Sequence, residues 1–344
     1  MSEQVSERPD SLQPPPDTFQ PPPPPSVVPP PTAPRPVKLR PVAIVLFVLG
    51  LIVLGLGIPG IVPGGAGTGA AIAFWGIVLF AFSFIPLPQS TGTEEPPMSP
   101  VEKLTGIFYE PTRVFKNLRA HPRWLAPFLV ITIVTLVYSF VFAQRLTPER
   151  IVNYTMEKLE QSPIKPPPEA MDQAKQDALT QATQPIQRVQ TAAKAFPASF
   201  VLYCFVAALC LLGVLVFGGR INFWQVFAAV LYAAVPVEVI KKLLSLAILF
   251  VKDPDDVHPI LNQESLVQDN LGFFFNPAEN PVLFVLGSSI GILVFYGLWL
   301  RAKGLANAGY KVSPTAAWGT TILLWVLTLI IGLIFALLFP SFMS

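Results

Sequence analysis

Cysteine, histidine and charge are all scarce in this chain, and each scarcity closes off a class of function. Only two cysteines, Cys204 and Cys210, occur in 344 residues. They lie six positions apart in one apolar stretch, where cysteines behave as small buried hydrophobes rather than as a disulfide or a metal pair. The two histidines, His121 and His258, are too few and too far apart to build a zinc or Ser-His-Asp hydrolase site. The acids and histidine of the DPDDVHP stretch, Asp253 to His258, find no second His or Cys to complete a cation site, and Pro254 and Pro259 mark a charged turn. No metal, cofactor or catalytic set is therefore expected. Charged residues make up 13% of the chain and the net charge is +2, with no run of five Lys or Arg. A nucleic-acid partner is excluded on that ground.

What the chain has in abundance is apolar side chains, 52% of the total. That composition belongs to a membrane-embedded protein. Seven stretches are long enough to cross about 30 Å of hydrocarbon as helices: 42–62, 67–88, 125–143, 198–218, 223–251, 281–300 and 316–339. The fold class expected is all-α, a polytopic helical membrane protein of about seven transmembrane helices. Residues 41–88 form a two-helix hairpin, turned at Pro63-Gly64-Gly65-Ala66. The GGAGTG run at 64–69 lacks the Lys-Ser/Thr ending and preceding strand of a phosphate loop and is read as that turn. Residues 125–344 form a five-span domain.

Residues 1–40 contain fourteen prolines, five of them consecutive at Pro21 to Pro25. Such a segment buries too little surface to offset its ordering entropy, so a disordered, locally polyproline-II tail is expected. It is no signal peptide, and the first span acts as an uncleaved anchor. A second polar stretch, 147–195, reads as a helical arm: helix from Pro148 to Gln161, a stop at Pro166-Pro167-Pro168, then helix again from Glu169. Asn153-Tyr-Thr155 within it matches a glycosylation acceptor, meaningful only in a secretory compartment.

Residues 89–124 link the hairpin to the domain. Leu104, Ile107, Phe108, Val114, Phe115 and Leu118 recur at helical spacing, with Lys103, Arg113, Lys116 and Arg119 elsewhere on the surface and Pro111 breaking the helix. This pattern predicts an amphipathic helix in the headgroup layer, anchored by Trp124 where the chain enters the third span. Gly287 and Gly291 make a small-xxx-small pattern in the sixth span, which permits close helix approach inside the bundle or between two copies.

The fifth stretch, 223–251, contains Pro236, Glu238, Lys241 and Lys242. Neither half is long enough to cross alone, so it is one span kinked at Pro236. Three charges at mid-membrane cost roughly 8–10 kcal/mol and the sixteen large aliphatic and Phe side chains return roughly 5–10. A Glu238–Lys242 pair four residues apart would lower the cost. The cluster reads equally as a structural polar knot or as an ion or proton relay. Thirteen of the 23 Lys and Arg flank one side of the proposed spans, which places the N-terminus in the cytoplasm and Ser344 on the far side.

Three sets of residues resemble the Yip family of Ypt/Rab-interacting polytopic membrane proteins, over about residues 99–340. They are Ile107-Phe108 through Pro111 to Val114-Phe115 and Trp124-Leu125-Ala126-Pro127; Trp224 to Pro236 with Phe227 and Tyr232-Ala233-Ala234; and Trp299-Leu300, Gly304-Leu305-Ala306, Gly309, Ser313 and Ala316-Ala317. The resemblance implies a five-span core with a cytoplasmic N-terminus, and a link to small GTPases and vesicle traffic through N-terminal regions. The chain departs from that pattern in its extra hairpin, its Pro-rich tail, its long arm and its lack of an Asp-Leu-x-Gly-Pro motif, which points to a bacterial inner-membrane protein. The reading is a non-enzymatic scaffold or adaptor in membrane organisation or trafficking-like processes, with a transporter or channel built on Glu238, Lys241 and Lys242 as the rival. Expected partners are the lipid bilayer, a cytoplasmic protein met by the tail or the interfacial helix, and a second copy of the chain.

Overall fold

The structure is a computed structural model and describes residues 40–59, 65–85, 96–162, 167–183 and 185–342. The Pro-rich tail and most of the hairpin turn at 60–64 lie outside these residues. The described chain is helical throughout, with no strand and only two isolated β-bridges.

Helices α1 (Arg40–Gly57) and α2 (Gly65–Phe82) form an antiparallel hairpin. Their backbones touch: a Cβ on Gly50 would lie 2.2 Å from Ala73 N, one on Gly69 2.1 Å from Leu54 N, and one on Gly76 2.5 Å from Phe47 N. Only glycine permits that approach, which maximises dispersion contact where lipid offers no hydrophobic drive for association.

Two short helices follow, α3 (Pro100–Tyr109) and α4 (Pro111–Ala120). Ser99 and Glu102 close a reciprocal capping box at the start of α3, and Pro111 separates the two helices because it can begin a helix but not continue one. Then come α5 (Leu125–Leu146), α6 (Pro148–Glu160), α7 (Pro168–Thr183), α8 (Pro185–Val216) and α9 (Phe223–Val251). Gly218, at φ 75°, lets the chain leave α8 in the left-handed region. α9 is a single helix containing Pro236, capped at its start by Asn222 and Gln225. The last three helices are α10 (Pro281–Ser288), α11 (Ile292–Ala308) and α12 (Pro314–Leu338).

Among the described residues α1, α5, the Ala198–Val216 part of α8, and α12 are long and apolar enough to cross a membrane, and Ala66–Phe82 is a shorter apolar helix. α9 runs through the centre, buried along residues 223–233 and packed by α5, α8 and α11. The helix ends collect at two poles. At one, Trp124 stacks on Trp224 and Arg220 pairs with Lys311; at the other, α6 meets the turn after α9 through Arg150 and Asp255, 2.9 Å apart. The first pole is the basic end and the second the arm end. α9 runs as one unbroken helix from Phe223 to Val251.

The sixth expected span, 281–300, is not one helix. It breaks between Ser288 and Ile292, so Gly287 and Gly291 do not share a helix face. A segment from upstream fills the break: Leu271 N donates to Ile290 O at 3.0 Å, and Ile292 N to Asp269 O at 3.3 Å. Backbone groups that a continuous helix would have bonded internally find those partners instead.

Candidate functional site

At the basic end, α4 lays its apolar face on the bundle. Val114, Phe115 and Leu118 are fully buried, and Phe115 fits against α11 where Gly304 leaves room; a Cβ there would stand 3.0 Å from the Phe115 ring and 3.4 Å from Ala229 Cβ. Arg119 is half-buried. It donates to Asn307 O at 3.0 Å and lies 5.9 Å from the centre of the Tyr310 ring. Lys116 is exposed. Residues 100–120 are therefore two helices with different surroundings, since α4 is covered by protein. α3 is not: Phe108 is 44% exposed and Val101 and Tyr109 more so, while Ile107 and Gly106 face inward.

Trp124, expected as an interfacial anchor, is part of an aromatic cluster. It stacks on Trp224 at 6.3 Å and meets Phe200 at 5.4 Å and Phe227 at 5.3 Å. Phe200 in turn touches Trp75, Phe82 and Phe128, so one ring joins α2, α5, α8 and α9. Edge-to-face pairs of this kind add to the area they bury.

Three buried polar residues hold this end together. Gln225 accepts from Asn222 N at 2.9 Å and donates to Arg119 O at 2.7 Å. Asn117 bonds Pro96 O and Met98 N. Lys103, placed on the surface by its sequence pattern, is 0% exposed and donates to His121 O at 3.0 Å. Burial, and secondarily the Arg123 charge, lower its pKa to about 8. The capping-box spacing of Asn222 and Gln225 is a sequence signal for the first of these. Lys103 has none, because a lysine among apolar helical positions looks like any solvated one.

Within α9, Glu238 and Lys241 are half-buried and Lys242 is buried. The expected Glu238–Lys242 ion pair does not close; among the described residues the ion pairs are Arg113–Glu110 and Arg150–Asp255. Lys242 Nζ donates instead to Glu264 O and lies over the Tyr138 ring, 5.0 Å from its centre. A carbonyl from the returning chain serves where a carboxylate was expected, and a cation above an aromatic face is further stabilised. Glu238 stays within electrostatic reach of both lysines and of Tyr203 on α8, which is also within reach of Arg301 on α11.

The chain that supplies Glu264 is ordered at the arm end. Tyr138 Oη donates to Asn262 O, and Ser245 Oγ accepts from Leu266 N at 2.9 Å. His258 Nδ1 accepts from Ile260 N and Leu261 N, and its Nε2 lies 3.2 Å from Tyr154 Oη on α6. The acids of the DPDDVHP stretch make no metal cluster among the described residues. Gly287 and Gly291 both face residues 269–272 of the same chain: a Cβ on Gly287 would meet Gly272 N at 2.7 Å, and one on Gly291 would meet Asp269 O at 3.0 Å.

Apolar helices running between two poles, around a central helix with a polar knot, define a polytopic helical membrane protein. The chain belongs to the Yip family, since the family model described as the Yip1 domain matches residues 105–336. That match takes in the domain from α3 to near the end of α12 and leaves out the α1–α2 hairpin. No curated protein and no solved structure matches the chain.

Proposed function

We propose that this Yip-family membrane protein is a non-enzymatic scaffold or adaptor whose working surface is the basic end. The single observation that carries the reading is α3. It is rigidly seated by its capping box and by Lys103, yet it turns Val101, Phe108 and Tyr109 outward. The segments that meet at this end carry Arg40, Arg113, Lys116, Arg119, Arg123, Arg220, Lys303 and Lys311, against two acids near α3, Glu102 and Glu110, that are engaged in the cap and in the Arg113 pair. An apolar helix face within a cationic field fits an anionic headgroup layer or a protein docked on it. The same excess of cations supports a cytoplasmic basic end and a cytoplasmic N-terminus, with the arm on the far side. A bacterial inner membrane suits the departures from the eukaryotic pattern.

Co-purification of the full chain from membranes tests this against two comparisons, a chain lacking residues 1–39 and the double variant Val101→Asp/Phe108→Asp. The adaptor reading requires a reproducible partner that one of the altered chains loses. Recovery of none from the unaltered chain overturns it.

A second reading, transport, is favoured by the convergence of Glu238, Tyr203 and Arg301 from three helices. Ion flux in proteoliposomes that disappears in Glu238→Gln would select it over the first.

A further inference from the structure

The chain between α9 and α10 does not remain at the surface of the arm end. Asn270 pairs with Gly291 in an antiparallel bridge, so residues 269–272 reach the point where the sixth crossing breaks. A 3-10 turn, Leu271–Phe274, follows. It lies on α10 with Gly272 against Gly287, where a Cβ on either glycine would collide with the facing segment.

α12 gives the depth of this turn. A Cβ on Gly332 would stand 3.2 Å from Val285 Cγ1, so Val285 is level with Gly332. Gly332 is six residues, or about 9 Å of helix, inside the end of α12 at Leu338. Gly287 lies two residues beyond Val285 on an α10 that runs inward from Pro281. The turn that touches it therefore sits about 10 Å inside the end of a helix built to cross the membrane.

At that depth the turn shows apolar side chains to its surroundings. Phe273 is 67% exposed and Phe274 is 74% exposed, Leu271 is exposed beside them, and no polar side chain lies between Asn270 and Asn276. The backbone behaves as a bilayer requires: Leu271 N donates to Ile290 O, Gly272 N to Asn270 Oδ1, Phe273 N to Asn270 O and Phe275 N to Gly272 O. Non-helical backbone persists at membrane depth only where protein satisfies its polar groups. Asn276, Glu279 and Asn280, all exposed, mark the return to the polar layer.

We propose that residues 269–275 and α10 form a re-entrant wedge, whose Phe273 and Phe274 rings contact the acyl chains of the leaflet at the arm end. This surface is separate from the basic end, and its occupant is lipid. The proposal rests on α12 crossing the membrane.

The test uses the full chain with Cys204→Ala and Cys210→Ala, reconstituted in phosphatidylcholine vesicles. Single cysteines at Phe273, Phe274, Gln263 and Ile331 are each labelled with an environment-sensitive fluorophore. Quenching is measured with nitroxide-labelled acyl chains and with aqueous iodide. The wedge requires Phe273→Cys and Phe274→Cys to show at least about half the lipid quenching of Ile331→Cys, on the outer face of α12, with iodide quenching well below that of Gln263→Cys. Either position matching Gln263→Cys overturns the wedge. Loss of lipid quenching at Ile331→Cys instead overturns the crossing by α12 on which the wedge depends.

Discussion

Lys242 on α9 and Glu264, 22 residues further along, are joined by a bond from the lysine ammonium to a main-chain carbonyl. The cation in the central helix thus orders a segment at the arm end. Replacing Lys242 with Met removes the donor and leaves the helix intact. Amide exchange of Asn262 to Leu266 is then expected to quicken about tenfold, the equivalent of one net hydrogen bond of roughly 1–1.5 kcal/mol. Lys241→Met, at a position with no such contact, is expected to leave these amides unchanged. Hydrogen-exchange mass spectrometry on both variants decides it, and equal rates in the two would show that the bond does not hold the segment.

Lys103 gives a pH dependence of defined sign. Its pKa is about 8 in the folded protein, against 10.5 for the ordinary side chain. Between those values the unfolded chain binds more protons, so folding stability rises with pH, by up to about 1.4 kcal/mol per pH unit from this group. Thermal melting in detergent is expected to shift upward from pH 8 to pH 10 relative to Lys103→Met, which has no such group to titrate. Parallel melting profiles for the two chains across that range would remove the assignment.

Gly287 and Gly55 make a matched pair. A methyl at Gly287 would strike the backbone of Leu271 and Gly272, whereas one at Gly55 meets nothing within 4 Å. Gly287→Ala is expected to cost about 1–3 kcal/mol through overpacking. Gly55→Ala is expected to be neutral or to gain up to about 1 kcal/mol from helix propensity. Because Gly287 already packs within its own chain, light scattering of the detergent complex should show the same mass for wild type and Gly287→Ala. A drop in mass would place this glycine between two copies.

Phe115 and Phe108, seven residues apart, should respond differently. Phe115→Ala empties a fully buried site and is expected to cost about 3–5 kcal/mol of stability. Phe108→Ala, 44% exposed, should barely alter melting. Its effect belongs in binding: weaker recovery of whatever the α3 face meets. A large loss of thermal stability in Phe108→Ala would mean that this face is covered by the protein itself.

α9 could be delimited from sequence because its signals are local: Asn222 and Gln225 three residues apart at one end, Lys252 and Pro254 at the other, and a run too short to be two crossings. Residues 281–300 carry no equivalent signal. Ser288 to Gly291 is small and apolar enough to continue a helix, and what breaks it is a partner some twenty residues upstream, a contact no local pattern records. The amphipathic reading of 100–120 grouped Ile107, Val114, Phe115 and Leu118, which are buried, with Phe108, which is 44% exposed, since periodicity distinguishes sides of a helix and not their neighbours. Phe115 against Gly304 is a pairing across 189 positions. Lys103 failed for the same reason in reverse: its burial is imposed by His121 and the fold around it.

The paired backbones of Arg220 and Lys311, with N–O distances of 2.7 Å and 3.3 Å, tie the corner between α8 and α9 to the corner between α11 and α12. Two helical pairs are thereby yoked at one pole. Opening or closing of this bundle must then be expressed at the opposite pole, like the blades of shears moving about a fixed rivet.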